Sequence, residues 1–151
     1  MMAMTLPQTC QLNTLADTAR LAETLCTRLG PGSVLLLSGD LGAGKTTFVQ
    51  ALARAFGISR TVTSPTFTLA IEYPLPDGGK LVHYDLYRLA SPYGLYDLGF
   101  EDALESGARL VIEWPEKAAA VLDLEVPRRL RLDLTQDHRG VRHATLSEEQ
   151  C

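Results

Sequence analysis

The stretch "SGDLGAGKTT", residues 38–47, carries Gly39, Gly42, Gly44, Lys45 and Thr46 in the order G-x-x-x-x-G-K-[ST]. That spacing is the one by which a backbone grips phosphate. Glycine lets the chain take positive φ and turns main-chain N–H groups inward, where no Cβ stands between them and an anion. The apolar run "VLLL" lies just before the loop and the helical pattern "TTFVQALARAF" just after its lysine. A helix there adds unpaired N–H groups and the positive end of its dipole. On this reading Gly39, Gly42, Ala43, Gly44, Lys45, Thr46 and Thr47 hold the phosphates. Lys45 reaches the β- and γ-phosphates, and the Thr46 hydroxyl takes one Mg²⁺ position.

Such a loop works with acids at the ends of neighbouring strands, which hold Mg²⁺ and orient the nucleophile. Asp85 closes "LVHYD" and Glu113 closes "RLVIE". In a doubly wound sheet both strand ends point toward the same loop. Each acid has a plainer alternative as a cap, Asp85 before "LYRL" and Glu113 before Pro115. The loop tips the balance toward chemistry. Thr66 in "SPTF" falls where phosphate-binding proteins of this kind carry a γ-phosphate-sensing segment, the alternative being an ordinary loop hydroxyl. Arg88 is a candidate cis arginine or a salt-bridged surface residue. Guanine is commonly read through an Asn/Thr-Lys-x-Asp motif. The only asparagine is Asn13 and the only lysines are Lys45, Lys80 and Lys117, none in such a motif, which favours adenine.

The elements that must position these residues follow from periodicity. Residues 14–29 carry Leu15, Ala19, Ala22, Leu25, Cys26 and Leu29 at helical spacing, with Asn13 or Thr14 as cap and Gly30-Pro31 as stop. "SVLLL" is apolar on consecutive positions, as a strand buried on both faces must be. The following helix presents Phe48, Val49, Leu52 and Phe56 and ends at Gly57. "FTLAIEY" and "KLVHYD" flank the turn residues "PLPDGG" and read as neighbouring strands. A short helix is expected near "LGFEDALE", a buried strand at "RLVIE", and a helix opened by Pro115 in "PEKAAAVL". "RRLRLDL" and "VRHATLS" around "TQDHRG" form a C-terminal hairpin with one solvated face, which accounts for Arg128, Arg129 and Arg131 without invoking a lid. The fold class is α/β, a P-loop NTPase-type mixed sheet flanked by helices with a C-terminal β-hairpin.

The chain of 151 residues, 46% apolar, suits one domain over its whole length, with residues 1–11 as a poorly ordered leader. A net charge of −4 argues against gripping nucleic acid by charge alone, so any contact with RNA is indirect. "MMAMTLPQTC" lacks a basic leader and an apolar h-region, and "VLLL" cannot span a bilayer, so a soluble, cytoplasmic protein is expected. Cys10, Cys26 and Cys151, with His83, His138 and His143, show no metal-binding spacing.

"GDLGAGKTT", "VTSPTFTL", "HYDLYRL" and "IEWPEK", in that order in so short a chain, resemble the TsaE (YjeE) family. The resemblance covers roughly residues 12–147. It implies a bacterial ATPase that supports threonylcarbamoylation of the adenosine beside the anticodon of tRNA, working with TsaD and TsaB. It implies ATP and Mg²⁺ as ligands, with Thr46 and Glu113 on the metal, Asp85 as a catalytic or metal-linked carboxylate, Thr66 as a switch and Trp114 near the nucleotide. The two acids keep interchangeable roles at this stage. The alternatives are a small-molecule kinase on the same loop and an ATP-dependent assembly switch with little turnover.

Overall fold

The computed structural model describes residues 8–40, 42–65 and 67–151. Its frame is a seven-stranded sheet in the order β1-β7-β6-β2-β5-β4-β3. The strands are β1 (Gln8–Gln11), β2 (Val34–Ser38), β3 (Ala70–Pro74), β4 (Lys80–Asp85), β5 (Arg109–Glu113), β6 (Arg128–Gln136) and β7 (Arg142–Gln150). The run β6-β2-β5-β4 is parallel, and antiparallel strands close both edges.

β2 lies at the centre because Val34–Leu37 are apolar on every position and can be buried from both sides. Leu35 and Leu37 point into one core, under the helices α1 (Leu15–Arg28) and α2 (Lys45–Ala55). Val34 and Leu36 point into the other, under α3 (Phe100–Glu105), α4 (Ala119–Glu125) and two 3₁₀ turns, Pro92–Leu98 and Pro115–Ala118. Three layers result. α2 buries Phe48, Val49 and Leu52 and stops at Gly57, whose φ of 85° suits a residue without Cβ.

The structure departs from the sequence reading in places. Gln8–Gln11, assigned above to the leader, form β1 on the free edge of β7, while residues 1–7 lie outside the described residues. Their polar side chains carry no apolar alternation, so only the partner strand reveals them: Thr9 Oγ1 meets Thr145 Oγ1 at 3.1 Å. Leu15, counted on the buried face of α1, is exposed because it sits in the first turn, beyond the sheet. β3 begins at Ala70, not at Phe67. Arg129 is buried rather than solvated. The end of α4 lies over it, the Leu122 and Val126 carbonyls accept from its guanidinium, and Asp123 and Glu149 pair with it.

α1 is closed at its start by a reciprocal cap. The Thr14 hydroxyl accepts from the Asp17 N–H, and the Asp17 carboxylate accepts from the N–H groups of Asn13 and Thr14. These bonds, that from Asn13 first, hold the Asp17 carboxyl below its ordinary value of 3.8. A depressed folded-state pKa stabilises fully above the unfolded value and loses that effect as pH falls through the folded one. Asp17→Asn is therefore expected to unfold at lower urea than the parent near neutral pH, with the gap closing as pH drops below 3.8. A gap independent of pH would contradict this account of the cap.

Candidate functional site

The parallel register decides where the acids go. Leu37 of β2 lies opposite Glu113 of β5, and Glu113 lies opposite Asp85 of β4, so the last residues of both outer strands stand beside the turn leaving β2. Around that point is a cleft of about 530 Å³. Gly42, Gly44, Lys45, Thr46 and Thr47 form one wall, and Asp85, Glu113 and Trp114 form part of the other.

The wall on the α2 side presents backbone donors without a side-chain cap. Gly44, at φ 97°, is the residue before α2, and no side chain among the described residues caps the helix. Phe48 N–H is the donor that reaches the Gly44 carbonyl, at 2.9 Å, so the N–H groups of the first turn stay uncommitted to the helix. In the first turn of α1 the Thr14 hydroxyl caps the Asp17 N–H, whereas α2 has no such side-chain cap. Gly39 and Ala43 stand behind this wall. A Cβ on Gly39 would lie 2.6 Å from the Leu134 carbonyl oxygen, so the loop can approach β6 only with glycine there. Ala43 buries its methyl in the core and donates its N–H to the Asp40 carbonyl at 3.0 Å.

Lys45 is 7% exposed. Its ammonium donates to the Gly39 carbonyl and to that of Asp40, and lies 3.9 Å from the centroid of the Trp114 ring. Burial lowers its pKa from the ordinary lysine value, while Glu113 and Asp85 pull it upward. The cation is what makes two neighbouring buried carboxylates tolerable.

Asp85, 6% exposed, accepts from the Tyr87 N–H at 3.1 Å and the Ser64 hydroxyl at 3.3 Å. Glu113, 3% exposed, meets His83 Nε2 at 2.6 Å through Oε2. With the proton on Nε2 the ring donates to the carboxylate, leaving buried Nδ1 without a hydrogen-bond partner. Trp114 takes a left-handed backbone, φ 56° and ψ 50°, which a side-chain-bearing residue adopts at a cost. That turn carries the indole back over Lys45 and against Tyr87, ring centroids 5.0 Å apart.

Of the residues singled out from sequence, Gly42, Gly44, Lys45, Thr46, Thr47, Asp85, Glu113 and Trp114 line the cleft together. Thr66 lies outside the described residues. Arg88 also reaches the cleft, its guanidinium 4.9 Å over the Phe67 ring. His83 is the residue that sequence reasoning passed over, having grouped it with scattered histidines. Its signal was the period of two that sets His83 and Asp85 on one face of β4. Tyr87 and Arg142 are further cleft residues given no role in the site from sequence.

A glycine loop leading from the central strand of a mostly parallel sheet into an uncapped helix, with acids at adjacent strand ends, defines an α/β protein of the P-loop NTPase type with a C-terminal β-hairpin. The family described as threonylcarbamoyl adenosine biosynthesis protein TsaE matches residues 12–144, and the chain belongs to this family. Proteins named tRNA threonylcarbamoyladenosine biosynthesis protein TsaE are similar to it. The one from Rickettsia conorii is 45% identical over 106 residues, 70% of this chain and 59% of that protein. The one from Treponema pallidum is 42% identical over 115 residues, 75% of this chain and 82% of that protein. The chain thus spans about three fifths of the length of the Rickettsia conorii and Rickettsia felis relatives, at 59% and 61%. The crystal structure of Bacillus subtilis YdiB superposes with a TM-score of 0.74 at 28% identity, over 99% of this chain and 90% of that one. No helix among the described residues is long and apolar enough to cross a membrane.

The two ends of the loop are expected to respond differently to a methyl group. Gly39→Ala, forced against the Leu134 carbonyl, is expected to lose about 1–3 kcal/mol in urea unfolding. Gly42→Ala meets no atom within 4 Å and faces only the strain of φ 83°, about 1 kcal/mol. Equal losses would show that the approach to β6 is not what demands glycine at position 39.

Proposed function

We propose that the chain binds and hydrolyses Mg²⁺-ATP in this cleft to support threonylcarbamoylation of adenosine beside the anticodon of tRNA, acting with TsaD and TsaB. One observation carries the reading: the uncapped, glycine-lined start of α2 faces two buried strand-end carboxylates across Lys45. The tRNA assignment rests on family membership and the names of the relatives. In keeping with the net charge of −4, contact with tRNA is indirect and runs through the partners.

The donor set suits Mg²⁺. Among the described residues no three His, Cys, Asp or Glu side chains gather into a cage. Mg²⁺ asks for less, one or two carboxylates with phosphate oxygens and water. Thr46 and Glu113 would hold it, with Asp85 alongside, and His83 fixes the Glu113 carboxylate in place. When bound, Mg²⁺ neutralises phosphate charge as it develops in the transition state.

The protein's own groups do the rest. The N–H groups of the first turn of α2 cradle the phosphates, and Lys45 trades its carbonyl contacts for phosphate oxygens. Asp85 orients the attacking water through the oxygen it now gives to Ser64. These groups stabilise and position, which is most of what phosphoryl transfer requires. Thr66 keeps its assignment as a switch residue. Among the described residues no Asn or Gln lines the cleft to position the attacking water beside Asp85, which fits turnover completed by partners. Two further recesses, about 280 Å³ at β1 and α1 and about 190 Å³ beside Arg28 and Arg128, lie away from these strand ends, and neither offers a kinase an acceptor pocket at the reacting phosphate.

Mg²⁺-ATP hydrolysis measured with the protein alone, and then with TsaD and TsaB, is expected to be slow alone and strongly raised by the partners. Lys45→Ala should cut the stimulated rate by about 10²–10³-fold. Fast unstimulated turnover, or phosphate passing to a metabolite in preference to water, would defeat the proposal. A Glu113→Ala protein that supports tRNA modification without turnover would instead make ATP an assembly switch.

A further inference from the structure

We propose that Arg142 is a phosphate-binding residue of this cleft, a fixed cation that meets the polyphosphate of the nucleotide on the side opposite Glu113. The inference rests on the nucleotide reading above and adds a residue to it. Arg142 opens β7, and its guanidinium lines the cleft with Gly42, Gly44 and Lys45. Nη1 lies 3.7 Å, and Cζ 3.9 Å, from where a Cβ on Gly44 would stand. The group is therefore at the rim of the loop whose N–H donors lack helix partners.

The sheet order puts it there. β5 and β4, with their acids, lie on one side of β2, and β6 and β7 lie on the other, so Glu113 and Arg142 flank the loop from opposite sides. The strand fixes its main chain. Arg142 pairs with Gln136 of β6, and its carbonyl accepts from the Leu12 N–H at 2.9 Å.

Charge pairing separates this arginine from Arg129, Arg131 and Arg139, while Arg128, which also lacks an ion pair among the described residues, lies at the other end of the hairpin, opposite Gln150. Arg129 is matched by Asp123 and Glu149, Arg131 by Glu149 and Asp133, and Arg139 by Asp137. The Arg142 guanidinium has neither ion pair nor hydrogen bond among the described residues. An unpaired planar fork beside a phosphate-shaped cup is suited to accept two oxygens of one phosphate. Arg88 is a weaker candidate for the same task, since its guanidinium rests on the exposed ring of Phe67.

The test is calorimetric titration of Mg²⁺-ADP and Mg²⁺-ATP into the full chain and into Arg142→Ala, Arg142→Lys and Arg139→Ala. Arg142→Ala is expected to raise both dissociation constants by about 10–100-fold, the range of a lost charge-assisted contact. Arg142→Lys should recover part of the affinity, and Arg139→Ala should match the parent. The salt dependence of binding should flatten in Arg142→Ala alone. Arg142 is exposed, so melting curves of the variants should overlay that of the parent. Parent-like affinity in Arg142→Ala overturns this proposal and leaves the nucleotide reading standing. So does an equal loss in Arg139→Ala, or a loss of turnover at saturating nucleotide with unchanged affinity. Failure of the parent to bind either nucleotide overturns both.

Discussion

Two carboxylates buried at neighbouring strand ends set the constraint that the site is built around. Asp85 and Glu113 are register partners at the ends of adjacent strands, both almost fully excluded from water. Unshielded, like charges buried in that position would repel one another and cost the fold free energy. The surroundings of the site answer this constraint. Lys45 is pulled in against its own desolvation cost, Ser64 and the Tyr87 N–H serve Asp85, and His83 serves Glu113. Trp114 is bent into a left-handed turn that places its ring over the lysine. Local strain and burial of charge are tolerated together because each supports the other.

The contrast between the two helices on the same face shows how a fold separates stability from function. α1 begins with a full reciprocal cap and contributes stability. α2 begins with a glycine in the left-handed region and no cap, and its stability comes from Phe48, Val49 and Leu52 in the core. Packing further along the helix compensates for donors left open at its start. The loop is then held to β6 by a contact that tolerates no side chain at Gly39.

Much of this was legible in the chain, for reasons that differ by residue. The loop was readable because its pattern is local: the glycines set a backbone turn through their own neighbours, and Lys45 and Thr46 follow them directly in the chain. The buried-strand pattern of β2 and the C-terminal hairpin were readable because periodicity of apolar residues is also local. β1 was not, since "QTCQ" has no apolar alternation and exists as a strand only by pairing with β7. Arg129 was misread for a related reason. Its alternation with leucines signals a solvated face, yet the end of α4 covers it.

The sequence by itself therefore determined the glycine-rich loop between β2 and α2, the helices that carry apolar stripes, the class of fold and the identity of the two strand-end acids. Tertiary structure alone decided that Asp85 and Glu113 stand opposite one another, that His83 pairs with Glu113, and that Arg142 reaches the loop from β7. The physical reason is the range of the interactions. Turn chemistry and periodicity depend on residues a few positions apart, whereas register between β4 and β5, and the reach of a hairpin to a loop far back in the chain, depend on how the sheet closes.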